Sequence, residues 1–171
     1  PATLLKLREA VGDIIGANVD PSHLFWQGID PCEAIKVLKG AIYHFHAKDT
    51  KIDYANTSKY GVLDTKNYGD ILERSWVFRT VGYGHNQEIW NNIISTLKAV
   101  GYDGAISIEH EDGLMSPKEG LEKAISLLRE SLESSTFKTF SVGLTCRTAF
   151  SDTHFTLKVF CVFDAGIFSN N

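Results

Sequence analysis

Three short apolar stretches, Gly16–Asp20, Ala41–Asp49 and Ala105–Glu109, each follow a helical segment and each end in a side chain able to bind a metal. Side chains alternate across a strand, so the polar residues of each stretch fall on one face and the apolar ones on the other. In the first, Asn18 and Asp20 oppose Ala17 and Val19; in the third, Ser107 and Glu109 oppose Ile106 and Ile108. The middle stretch is the richest: Ile42, His44 and His46 share a face, Tyr43 and Phe45 share the other, and Lys48 and Asp49 follow. Both imidazoles therefore point the same way, toward a lined interior.

Helices separate these strands. Leu4, Leu5, Leu7, Val11, Ile14 and Ile15 recur at helical spacing over Thr3–Ile15, with Thr3 as a cap and Gly16 as a stop. Asp30-Pro31 opens a second helix running to about Gly40, with Asp30 as cap and Pro31 at its first position. Ile89, Trp90, Ile93, Ile94, Leu97 and Val100 define a third, closed by Gly101. Ser116 and Glu119 form the capping pattern of a fourth, which Leu121, Ala124, Ile125, Leu127 and Leu128 carry to about Leu132. Helices alternating with short strands predict parallel pairing through right-handed crossovers, hence an α/β sheet or barrel. Residues 48–86 are polar and glycine-containing and predict a long functional loop rather than regular structure.

Composition narrows the partners. With 43% hydrophobic and 22% charged residues among 171, the chain has material for one ordinary core. A net charge of −4 without a clustered basic stripe disfavours nucleic acid, and no apolar run is long enough to cross a bilayer. Small molecules are the expected partners, with no membrane and no nucleic acid. Cys32, Cys146 and Cys161 are odd in number and unpatterned in spacing, which fits a reducing, cytoplasmic setting better than a disulfide framework.

The language changes after Ser134, where seven of the ten phenylalanines fall among Thr, Ser and Cys. Alternation there predicts short strands, and nothing in the preceding units calls for them. Residues 135–171 are thus expected to be a Phe/Thr/Ser-rich C-terminal tail, either an appended interaction element or sequence foreign to the domain formed by residues 1–134. The chain also opens at Pro1 without an initiator methionine, which leads to the expectation of a fragment or processed product.

Four motifs carry a resemblance: Asn18-Val-Asp-Pro-Ser-His-Leu-Phe-Trp-Gln-Gly-Ile-Asp-Pro31, Ile42-Tyr-His-Phe-His-Ala-Lys-Asp-Thr50, Phe78-Arg-Thr-Val-Gly-Tyr-Gly84 and Ser107-Ile-Glu-His-Glu-Asp112. In this order they are similar to the second half of the xylose isomerase-like TIM barrels, specifically the sugar phosphate isomerase/epimerase group, over residues 1–134. The resemblance implies a partial (β/α)8 barrel, about the last three β/α units, with roughly five of the eight strands of that fold not represented. It also implies a divalent metal held by a glutamate, an aspartate, a histidine and a second glutamate on successive strands. Asp20, His46 and Glu109 match the last three positions, and the first glutamate has no counterpart here. Carboxylate and imidazole donors without thiolates suit Mn, Mg, Co or Zn in a catalytic rather than a structural site.

The implied activity is isomerisation or epimerisation of a ketose-like sugar or polyol through an enediolate, with Glu109 both ligating and moving the proton. A dehydratase of the inosose type on the same fold, and a non-catalytic partial-barrel interaction module, are the alternatives. The fragment alone is expected to be inactive, because the resemblance's second carboxylate is absent from it. His23, three residues past Asp20, matches a substrate-binding histidine, with an idle loop residue as its alternative. Arg79 matches the family's substrate-side arginine, and a planar guanidinium suits anionic or polyol oxygens. Lys48 shares the parity of His46 and approaches either an anionic substrate oxygen or solvent. His44 lies one pleat deeper and reads as a hydrogen-bonded interior histidine. Glu111 and Asp112 read as supporting or surface groups. Trp26 and Trp76 either wall a sugar site or pack in the core, the commoner fate. Open sheet edges in a partial barrel further predict association, and hence a homo-oligomer.

Overall fold

The structure is a computed structural model, and it describes residues 1–134; the predicted strands of the 135–171 tail lie outside the described residues. Three strands form a parallel sheet in the order β1-β2-β5: β1 (Ala17–Val19), β2 (Ile42–Ala47) and β5 (Ile106–Ile108). The helices that separate or follow them are α1 (Ala2–Val11), α2 (Pro21–Phe25), α3 (Pro31–Val37), α5 (Gln87–Ala99) and α6 (Pro117–Ser134). This is the predicted α/β architecture, part of a β/α barrel, with the three strands adjacent and parallel through helical crossover connections.

The alternation read from the sequence determines what is buried. Ala17 and Val19 of β1, Phe45 and Ala47 of β2, and Ile106 and Ile108 of β5 face the helices. There they join Ile35 of α3, Trp90, Ile93, Ile94 and Leu97 of α5, and Ala124, Leu128 and Leu132 of α6 in one core. Phe45, Trp90, Ile93, Ile106 and Leu128 are completely buried. Each such side chain contributes roughly 1.5–3 kcal/mol of transfer free energy. The opposite face of the strands carries Asn18, His44, His46 and Ser107, so the packed face fixes the direction of the polar one.

Three local expectations change. The first helix ends at Val11 rather than near Ile15, because Gly12 takes φ 83° and returns its N–H to Arg8 O; a residue with a Cβ would resist that conformation. Its start has no side-chain cap, so Thr3 does not serve as one. The segment after Asp20 is a short helix, α2, rather than a loop, with Pro21 at its first position. By contrast, Asp30 caps α3 as expected, its Oδ1 accepting from the N–H groups of Cys32 and Glu33 at 2.7 and 3.2 Å.

The largest difference lies in residues 48–86. Strand β3 (Asp49–Ile52) follows β2 almost directly and pairs antiparallel with β4 (Trp76–Arg79), in the register Asp49↔Arg79 to Ile52↔Trp76. Between them run α4 (Tyr54–Tyr60) and a 3-10 turn at Ile71–Glu73. The pairing partners are distant in sequence and β3 is polar, so no local periodicity marks the pair. A buried carboxylate holds this excursion to the barrel strand. Asp49 Oδ2 accepts from the backbone N–H of Gly82, Gly84 and His85 and from Trp90 Nε1–H at 2.9–3.1 Å, while Oδ1 accepts from Thr50 N–H and meets His85 Nδ1, both at 2.8 Å. Both glycines are required by this geometry. Gly82 has φ 90°, and a Cβ on Gly84 would stand 2.3 Å from Thr50 O. Among the described residues no helix is long and apolar enough to cross a membrane.

Candidate metal centre

The three strand ends converge. One donor atom from each of Asp20, His46 and Glu109 lies within 4.8 Å of the others. His46 Nδ1 stands 3.1 Å from Glu109 Oε1 and 3.9 Å from Asp20 Oδ2. All three side chains are partly buried, at 10% exposure for Asp20, 17% for His46 and 19% for Glu109, so the cluster is shielded but accessible.

Each carboxylate has one oxygen engaged and one presented. Asp20 is the N-cap of α2, and its Oδ1 accepts from Ser22 N–H at 2.9 Å and Ser22 Oγ–H at 2.7 Å, which leaves Oδ2 toward His46. Glu109 Oε2 accepts from Lys48 Nζ at 3.2 Å, which leaves Oε1 toward the imidazole. Burial pushes the Asp20 carboxyl above its ordinary value, partly offset by the Ser22 bond and the charges of His23 and Lys48. Two carboxylate oxygens and an imidazole nitrogen aimed at a common point form a donor set that fits a divalent ion of the Mn, Mg, Co or Zn group.

The surrounding polar groups hold these donors in place, as supporting residues do around metal ligands. Asn18, on the face of β1 shared with Asp20, brings Nδ2 to 3.2 Å from His46 Nε2. His44 bonds Ser107 Oγ through Nε2 at 2.8 Å and sets its ring nearly perpendicular to that of His46, 5.2 Å away. It is thus the hydrogen-bonded interior histidine expected, and burial followed by the neighbouring His46 lowers its pKa. The alternative of a solvated Lys48 is incorrect: the side chain is 4% exposed, bonded to Glu109 and to Glu111 Oε2 at 2.5 Å, with its ammonium 3.9 Å from the centre of the Phe78 ring. His23 sits beside the cluster, its Nε2 3.8 Å from Asp20 Oδ2, and keeps half its surface exposed.

Arg79 is engaged by a partner of its own. Its Nε donates to Asp112 Oδ2 at 3.0 Å, and the same oxygen accepts from Thr80 N–H at 2.8 Å while Oδ1 accepts from Leu114 N–H at 2.9 Å. Asp112 is therefore a fully buried anchor rather than a surface group. Burial acts to raise its pKa, but the bonds from Thr80, Arg79 and Leu114 outweigh it and hold the carboxyl below its ordinary range. Asp49 and Asp112 were the residues hardest to recognise in the sequence. For Asp49 a signal existed: it shares the parity of Phe45 and Ala47, and a carboxylate on the core face of a strand must find donors.

A parallel β/α barrel segment with a carboxylate–imidazole–carboxylate cluster at its strand ends defines the class of protein. More particularly, residues 1–131 match the family described as xylose isomerase-like TIM barrel, and the chain belongs to that family. The chain is also 40% identical over 132 residues to the uncharacterized protein YfiH of Bacillus subtilis (strain 168), a match covering 77% of this chain and 42% of that protein. The chain thus spans less than half the length of this curated relative.

Proposed function

We propose that the whole protein carrying this sequence is a divalent-metal-dependent isomerase or epimerase of a ketose-like sugar or polyol, working through an enediolate. The supporting observation is the convergence of Asp20 Oδ2, His46 Nδ1 and Glu109 Oε1, in a family whose fold points to small-molecule sugars. Asp20, His46 and Glu109 would hold the ion, which when bound supplies charge stabilisation to adjacent substrate oxygens. The chain's own groups do the rest. Glu109, oriented by Lys48, moves the proton at the substrate α-carbon; a carboxylate within reach of that carbon suits general acid–base work. Lys48 and His23 contribute N–H donors beside the cluster to substrate hydroxyls, and Arg79, steadied by Asp112, lends guanidinium donors on the β4 side. A second carboxylate, on the position the family fills with its first glutamate, completes the proton relay, so residues 1–171 alone are expected to be inactive.

The test is solvent-deuterium exchange at the α-carbon of a ketose panel, in the chain joined to an upstream segment bearing that glutamate. Exchange should require added Mn(II) and be lost with EDTA or Glu109→Gln, by orders of magnitude, as for any member of a cooperating catalytic pair. Exchange that survives Glu109→Gln, or that the chain alone performs equally fast, would end this reading.

A further inference from the structure

Asp20 presents Oδ2 to the cluster because α2, which it caps, is held in one place, and α2 cannot hold itself. Helices shorter than about 12 residues are marginal in water, and α2 has five. Two contacts from outside the helix supply its seat. The Thr50 hydroxyl donates to Ser22 O at 2.7 Å, with both residues wholly buried, and so provides a donor for one of the carbonyls that a short helix leaves unpaired. At the other end of α2 the Phe25 ring lies nearly flat on the His85 imidazole, with centroids 3.6 Å and planes 16° apart.

Both contacts lead to one buried carboxylate. Asp49 Oδ1 accepts from Thr50 N–H and meets His85 Nδ1, each at 2.8 Å, and Oδ2 accepts from His85 N–H at 2.9 Å. Asp49 and Thr50 belong to β3 and His85 follows β4, so the β3–β4 excursion grips α2 from outside the parallel sheet. Ser22 carries that grip to the cluster. Its N–H and Oγ–H hold Asp20 Oδ1 at 2.9 and 2.7 Å, and with Oδ1 held, Oδ2 stands 3.9 Å from His46 Nδ1.

Resting on the metal reading above, we propose that Thr50 and His85 are positioning residues: held by Asp49, they seat α2 and thereby fix how Asp20 presents Oδ2 to the cluster. A contiguous path of hydrogen bonds, Asp49–Thr50–Ser22–Asp20, carries the constraint. Without the Thr50 hydroxyl, Ser22 O is left buried with no donor, and α2 must shift to bring that carbonyl to another partner or to water. The Asp20 cap then loosens. One donor of three loses its preorganisation, the condition under which metal affinity falls.

The test is Thr50→Val, which keeps the side-chain shape and removes the hydroxyl, with Thr50→Ser as the variant that restores it. Amide hydrogen exchange at Ser22 reports the cap without any metal. In Thr50→Val it should quicken by roughly 5–10-fold relative to the amides of α6, the equivalent of one hydrogen bond, and Thr50→Ser should return it toward the parent. Mn(II) affinity, from EPR titration of the free ion, should fall by roughly 3–10-fold in Thr50→Val and recover in Thr50→Ser. Phe25→Leu removes the stack on His85 and should move both readouts in the same direction, so that a misfolded Thr50→Val would not shield the proposal. Ile93→Val, a core change on α5, should leave both at the parent value and so separates positioning from general destabilisation. A parent chain that binds no Mn(II) would strike the metal reading, and Ser22 exchange would then decide the seating of Asp20. Unchanged Ser22 exchange in the folded variants, or raised exchange with Mn(II) affinity equal to that of a parent that binds the ion, would overturn the proposal.

Discussion

Asp49→Asn should be among the most damaging single changes in this chain that leave the metal-binding side chains in place. The carboxylate is wholly buried, and its two oxygens meet six nitrogen atoms. Asparagine retains one carbonyl oxygen, which can keep the four donors that converge on Oδ2. Its NH2 group then faces the Thr50 N–H, where two donors cannot both be satisfied, and every remaining bond loses its charge assistance. Hydrogen bonds to charged groups contribute about 1.5–3 kcal/mol each, so the loss of about two such equivalents amounts to roughly 3–5 kcal/mol. A small domain has on the order of 5–15 kcal/mol in total. With a urea slope of about 2 kcal/mol per molar, the unfolding midpoint followed by tryptophan fluorescence should fall by roughly 2 M. The damage should also be local: the amides of Gly82, Gly84 and His85 should exchange with deuterium faster relative to those of α6. A midpoint within about 0.5 M of the parent, with unchanged exchange at these amides, would refute the view that this carboxylate secures the β4 side of the site.

Gly84→Ala places a methyl against Thr50 O and Asp49 Oδ1, and an overpacked position of this kind should cost about 1–3 kcal/mol in urea unfolding. Asp112 has a folded pKa below its ordinary value, so the unfolded chain takes up the proton first as pH falls. Its contribution is complete above about pH 4 and is lost as pH drops through the folded pKa; acid unfolding curves should show this limb flattened in Asp112→Asn.

The parity of the three strands was readable because one face must bury apolar side chains, and this put Asn18 with Asp20, His44 with His46 and Ser107 with Glu109, each pair on one face of its strand; bringing the three sets together also takes the parallel pairing of the strands. Burial of Val19, Phe45 and Ile108 leaves their neighbours no other direction. Likewise Asp30 as a cap needed only its position before Pro31. The β3–β4 pair was not readable, because the register that sets Asp49 opposite Arg79 depends on a buried carboxylate and on Gly82 and Gly84 accepting its geometry. Lys48 shows the same limit. Its parity suggested a direction, but only the folded arrangement supplies the two carboxylates and the Phe78 ring that keep an ammonium buried. Trp26 and Trp76 were legible as aromatic and ambiguous as to role, since their stacking on one another outside the core is decided by β4, which the sequence conceals.

If Asp20, His46 and Glu109 act together on one divalent ion, pulsed EPR of Mn(II) added to the chain will report it. The bound Mn(II) signal should carry nitrogen modulation from one imidazole, with the modulation abolished by His46→Gln and the bound signal weakened at least about tenfold by Asp20→Asn or Glu109→Gln. Bound Mn(II) whose nitrogen modulation persists in His46→Gln, or whose affinity is untouched by all three substitutions, would contradict it.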